Sequence, residues 1–228
     1  FLKFYFRTEI NLGLYLKLAN NTYSYLFESV QGGEKWGRYS IIGLHAQTVI
    51  KVFDYEIQVE KDSNIIECFQ VEDPLAWIEQ YQQQFKVPEI ADLPEFNGGL
   101  VGYFGYEIIR YIEPKLKDIK LKDELNIADI LLMVSNDLVV FDNLANKAFL
   151  LTHVNPETQS YDQAMAYLDS MAADIDRPLV KQDYQSDNLT TQDFSSSFGE
   201  QNYKDVVEHI QRYIIAGDVM QVVPSQRL

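Results

Sequence analysis

The chain has 228 residues, 46% of them hydrophobic, and a formal net charge of −15 from 34 acidic against 19 basic side chains. That apolar share can bury a core of one or two domains, and 15 Tyr with 13 Phe argue against a disordered chain. Nucleic acid and anionic membrane surfaces need a basic track, so the acidic field argues against both as partners.

In chain order, residues 1–155 read mostly as strands. Tyr23 to Phe27 is an aromatic-rich extended run, and Thr48 to Phe53 alternates before Asp54. Asn64 to Phe69 follows the turn signal Lys61-Asp62-Ser63. Asp129 to Phe141 reads as one strand and Lys147 to Val154 as the next, separated by Asp142-Asn143. Runs of β-branched and aromatic residues bounded by turn residues predict hairpins and an antiparallel sheet.

Three helices interrupt this pattern. One opens at Asp73-Pro74, a cap followed by proline at the first helical position, with Leu75, Ile78, Tyr81 and Phe85 as its apolar stripe. The second opens at Ser160 with Gln163 completing a capping box, and Tyr161, Met165, Leu168 and Met171 form its expected buried face. The third runs from about Tyr203 to Ala216 with Tyr203, Val206, Val207, Ile210 and Ile214 at helical spacing, and Gly217 supplies a left-handed cap. Residues 182–199 are polar and aperiodic and read as a linker. The expected organisation is a first domain over 1–181, that linker, and 200–228 as the first helix and strand (Val219 to Val223) of a second domain. The fold class is α+β, mainly antiparallel.

No apolar run reaches the roughly 20 residues of a membrane span, and no signal peptide is visible. Cys68 is the single cysteine, which excludes an internal disulfide and fits the cytoplasm; in its strand pattern it reads as a small core residue. Phe1 in place of Met, and an end at Leu228 directly after a patterned segment, read as a piece of a longer chain.

Few residues carry chemistry on pattern alone. His45, His153 and His209 lack ligand-spaced neighbours and read as surface or satisfied histidines. Gly98 to Tyr106 is dense in glycine but lacks dinucleotide or phosphate-loop spacing; glycines among aromatics let a strand bend or a backbone pack closely. Arg38, just before the next expected strand, is as readily a stacked structural cation as an anion ligand. Glu28-Ser29 is either a polar strand end or an amino-acid site. In the second case Glu28 pairs with an α-ammonium, Ser29 donates to the carboxylate, and Tyr25 and Phe27 complete an apolar slot.

Taken together, three ordered blocks resemble the large subunit (component I) of the anthranilate synthase family of chorismate-binding enzymes. The first is Tyr25-Leu26-Phe27-Glu28-Ser29 followed by Gly32 to Ser40; the second is Gly98 to Glu107 with Arg110 and Glu113; the third is Ala216 to Arg227. The resemblance implies a feedback site for L-tryptophan at Glu28, Ser29 and Ser40, with Leu26-Phe27 replacing the family's pair of leucines. It implies that the catalytic residues and a Mg²⁺ site lie beyond Leu228, so that these residues alone are inactive. It also implies chorismate as substrate and a glutamine amidotransferase subunit (component II) as the ammonia source. In the related isochorismate and salicylate synthases a lysine stands at the position of Gln221 and activates water; glutamine is no such base, which favours ammonia chemistry. Two alternatives stay open: aminodeoxychorismate synthase component I, with the same fold and ammonia chemistry but pyruvate retained, and a non-catalytic tryptophan-binding module.

Overall fold

The computed structural model describes residues 2–5, 11–30, 36–91, 93–117, 119, 123, 125–179, 194–196 and 198–226; the side chains of 2–5, 11, 29, 30 and 36 lie outside that description. Two compact units result, Phe1–Leu179 and Val180–Leu228.

Ten strands of the first unit form two five-stranded sheets. Sheet I has the order β1 (Leu2–Tyr5), β10 (Lys147–Thr152), β9 (Asp137–Asp142), β3 (Trp36–Gly43) and β2 (Tyr25–Val30). Sheet II has the order β6 (Asn64–Gln70), β5 (Glu56–Lys61), β4 (Thr48–Phe53), β8 (Ile130–Ser135) and β7 (Gly99–Phe104). Every described pairing is antiparallel. The α+β, mainly antiparallel expectation therefore holds. Register shifts occur in β2–β3 between Glu28 and Val30, and in β5–β6 between Val59 and Glu60.

Strand alternation gives each sheet two apolar faces. On sheet I, Ile42, Val139, Phe141, Ala148 and Leu150 pack under helices α1 (Asn11–Leu18) and α4 (Tyr161–Asp176) through Leu14, Leu168, Met171 and Ile175. On sheet II, Ile50, Val52, Ile57, Ile130 and Leu132 pack under Ile78 of α2 (Pro74–Gln83). The remaining faces meet where Tyr25 of β2 joins Val49, Val101 and Met133. The Tyr25 hydroxyl and Ser135 Oγ share a buried 2.7 Å hydrogen bond across that junction. Gly43 makes room for the ring: a Cβ there would stand 1.9 Å from Tyr25 Cε1.

The caps follow the sequence. Asp73 accepts from the backbone N–H of Leu75 and Ala76. Ser160 and Gln163 satisfy each other's backbone N–H in both directions. In the second unit, α5 (Glu200–Ala216) ends at Gly217 with φ +82°, the left-handed geometry glycine adopts without a Cβ penalty.

Other expectations fail for physical reasons. The run 129–141 is two strands in different sheets, divided at exposed Asn136, where the backbone bonds instead to His153 N–H. Tyr161 is 76% exposed, because the buried stripe of α4 runs through Ala164, Leu168, Met171 and Ile175. Phe85 lies beyond the end of α2, exposed, with its ring edge on Tyr81. Cys68 is exposed, because β6 is an edge strand with almost no cover. Val219 to Val223 forms no strand, and among the described residues of that unit no neighbouring strand offers it a ladder. Residues 182–193 and 197 of the expected linker lie outside the described residues.

Candidate functional site

The expected effector residues sit at one end of sheet I. The β2–β3 register sets Glu28 directly opposite Ser40, and the same row continues to Phe141 on β9 and Ala148 on β10. Opposed residues of an antiparallel pair share a face. Glu28 and Ser40 are thus brought together although twelve positions separate them in the chain. Glu28 is exposed, while Ser40 is only 3% exposed. Ser29 lies on β2, and its side chain falls outside the described residues.

One expected component of this site is misplaced. Tyr25 and Phe27 alternate with Glu28 along β2 and so face the opposite side, where their rings meet at 4.8 Å. The apolar neighbours on the Glu28 side are Leu26, Ile42 and Phe141.

The loop joining β9 to β10 braces β3. Arg38, inside β3 rather than before it, donates through Nη2 to Asp142 Oδ2 at 3.0 Å and lies over the Tyr39 ring at 4.8 Å. It is a structural cation. Asp142 Oδ1 accepts from the N–H groups of Leu144 and Ala145. Burial alone would raise the Asp142 carboxyl; the bonds from Arg38, Ala145 and Leu144 outweigh it and hold the group below the usual range. Asn143 follows, with Nδ2 donating to Gly37 O at 3.0 Å and to Ser40 Oγ at 3.3 Å. Pattern reading missed Asn143, because a turn asparagine reveals nothing about a partner 103 residues away.

The glycine block is structural. A Cβ on Gly102 would stand 1.8 Å from Leu131 O, and one on Gly98 2.8 Å from His153 Nε2. Beyond β7, the chain turns through 106–108 into α3 (Ile109–Ile112), which carries Arg110. Arg110 meets Asp54 at 3.0 Å, Glu107 at 3.1 Å and Asp129 at 3.6 Å beside a cavity of about 480 Å³. The Tyr111 hydroxyl donates to Asp129 at 2.8 Å, and burial with that contact pushes its pKa up. Glu113 is exposed just past α3. Asp54 and Asp129 tie sheet II to the α3 segment through Arg110 from positions far apart in sequence, while Glu107 is its local i,i+3 partner.

Among the described residues no group of three or more His, Cys, Asp or Glu is placed to hold a metal ion. His45 Nδ1 lies 2.7 Å from Thr22 O, and His153 Nε2 lies 2.5 Å from Asn97 O, as satisfied histidines. In the second unit, Gln221 is exposed in the segment after α5. Among the described residues no helix is long and apolar enough to cross a membrane.

A family model described as "chorismate binding enzyme" matches residues 24–228. The chain belongs to the chorismate-binding enzyme family. This family member is 47% identical to anthranilate synthase component 1 of Pseudomonas putida over 221 residues, 95% of this chain and 45% of the relative. It is 40% identical to the component 1 of Acinetobacter calcoaceticus, covering 97% of this chain and 45% of the relative. The chain thus spans less than half the length of the curated relatives it matches. Anthranilate synthase component I from Streptococcus pneumoniae, at 20% identity and a TM-score of 0.61, covers 83% of this chain and 42% of its own, and shares the fold.

Proposed function

We propose that these residues form the N-terminal part of an anthranilate synthase large subunit and carry its L-tryptophan feedback site at Glu28, Ser29 and Ser40. The observation that carries the site is the cross-strand pairing of Glu28 with Ser40; the likeness to component 1 relatives supports the enzyme.

In this reading, ammonia from a component II amidotransferase adds at C2 of chorismate as the C4 hydroxyl leaves, and loss of pyruvate gives anthranilate. The catalytic groups and the Mg²⁺ site belong to residues outside this chain. Gln221 borders the substrate and cannot serve as a water-activating base. Glu28 receives the tryptophan α-ammonium in a charge-assisted contact, while Ser29 and Ser40 donate to its carboxylate. Inhibition requires only that tryptophan bind one arrangement of the full-length subunit better than another. The exposed, unpaired thiol of Cys68 suits the reducing cytoplasm.

Two measurements test this. The 228-residue chain given chorismate, ammonium and Mg²⁺ should yield no anthranilate fluorescence, and its appearance would overturn the division of labour. In a full-length subunit containing these residues, Ser29→Phe should abolish inhibition by tryptophan, each variant being read against its own uninhibited rate. Unchanged inhibition would remove the site from β2. Pyruvate release in step with the aromatic product separates this reaction from aminodeoxychorismate synthesis.

A further inference from the structure

We propose that Asn97 is a latent site of self-modification: released from its latch on His153, it closes onto the Gly98 nitrogen, loses ammonia and opens to aspartate or isoaspartate. Asn97-Gly98 is the only Asn-Gly pair in the chain. Glycine in the second place has no Cβ to shield its nitrogen from the asparagine side chain. In the closing step a bond forms between Gly98 N and Asn97 Cγ. The Cγ–Nδ2 bond breaks, and the amide departs as ammonia with the proton from Gly98 N. Water then opens the ring. Entry at Cγ gives aspartate; entry at the backbone carbonyl gives isoaspartate, whose main chain runs through Cγ and is one methylene longer.

The fold holds this pair shut. The Asn97 carbonyl can only accept, so His153 Nε2 carries the proton of their 2.5 Å bond. Asn97 Nδ2 donates to Pro94 O at 3.4 Å, which turns the amide back toward Pro94. Gly98, at φ +144°, is wedged: a Cβ there would stand 2.8 Å from His153 Nε2 and 2.9 Å from Ser135 O. Ring closure must swing the amide off Pro94 and turn the Gly98 peptide, and these neighbours oppose both movements. The reaction therefore runs from an open form in which residues 93–98 have come away. His153 follows β10 of sheet I, and Gly99 opens β7 of sheet II, so the latch ties one sheet to the strand entry of the other. Phe96 anchors the same segment by packing against the apolar clusters of both sheets. Isoaspartate, with a longer main chain, no longer presents its carbonyl to His153 in the same place, so the opening is not reversed.

The test follows Asn97 in the 228-residue chain by peptide mapping and mass spectrometry in mildly alkaline buffer. Conversion should be slow in the folded chain and far faster in urea. His153→Leu cannot donate and should raise the folded-state rate about fivefold, the gain in open population that loss of one hydrogen bond brings. His153→Gln keeps an N–H donor and should stay within about twofold of the parent. Phe96→Ala loosens the segment through packing instead and should also accelerate conversion. Hydrogen exchange on the same proteins should rise over residues 93–98 in His153→Leu and stay unchanged in β8 and β9. Equal conversion in the folded and urea-unfolded parent, or folded rates unchanged in both His153→Leu and Phe96→Ala, would overturn the proposal. So would exchange rising across both sheets in His153→Leu, because His153 would then brace the whole fold rather than latch one segment.

Discussion

Replacing Leu168 by Ala tests how α4 is held on sheet I. Leu168 is 1% exposed and packs with Leu14, Ile42, Val139, Phe141, Leu150 and Met171. The change deletes three buried carbons, worth about 2.4 kcal/mol at roughly 0.8 each. The void left behind adds to this, since neighbours on two helices and a sheet relax only partly, giving a total of about 3–4 kcal/mol. For a domain of this size each kcal/mol lowers Tm by roughly 2–4 °C, so a fall of about 10 °C is expected. Tyr161→Ala on the same helix is the control: at 76% exposure it should change stability by less than about 0.5 kcal/mol. Thermal and urea unfolding of the 228-residue chain, followed by circular dichroism and intrinsic fluorescence, measures both. A Leu168→Ala midpoint within about 2 °C of the parent, or a Tyr161→Ala loss of equal size, would refute the assignment of the buried face.

Gly102→Ala should cost about 2–3 kcal/mol, because its methyl would collide with Leu131 O and force β7 away from β8; parental stability in urea would show that the strands do not approach so closely. Asp137 has its carboxyl pKa raised by burial, a shift that hydrogen bonds from Thr152 and Tyr167 only partly offset. The folded state therefore keeps a proton that the unfolded state releases, and stability is lost as pH rises from the ordinary value of 3.8 through the raised one. Asp137→Asn should remove that loss, so its urea midpoint relative to the parent should climb as pH rises above about 4; a pH-independent difference would contradict the half-buried, protonating carboxyl.

The elements legible in the sequence were those with local signals. Asp73-Pro74, the Ser160–Gln163 box and Gly217 each satisfy backbone groups within a few residues, and all three appear as expected. The second class of feature depends on distant partners and was not legible. Helix α1 has no acidic residue in its first turn and carries Gly13 within it, so what holds it is burial of Leu14 against sheet I rather than propensity. Residues 129–141 look continuous because both sheets ask for the same apolar residues, and only the tertiary fold reveals the crossing at Asn136. At the candidate site, Glu28 and Ser40 could be singled out from the family blocks, but the strand alternation that turns Tyr25 and Phe27 away follows from the observed register. Asn143 and the pairing of Arg110 with Asp54 and Asp129 needed the fold itself.

The shifted registers have a consequence for how this chain behaves in concentrated solution. Among the described residues, β2 and β6 each border a sheet, with no strand paired to their outer row of amide and carbonyl groups. At β6 the pairing steps from Glu67 to Ile65, leaving Ile66 as an extra residue, and in the β2–β3 pair the step from Glu28–Ser40 to Val30–Trp36 sets three β3 residues against one of β2. A kink of this sort bends the border and spoils the straight template that an incoming strand would copy. Both borders therefore work against edge-to-edge stacking of neighbouring molecules and the aggregates it seeds.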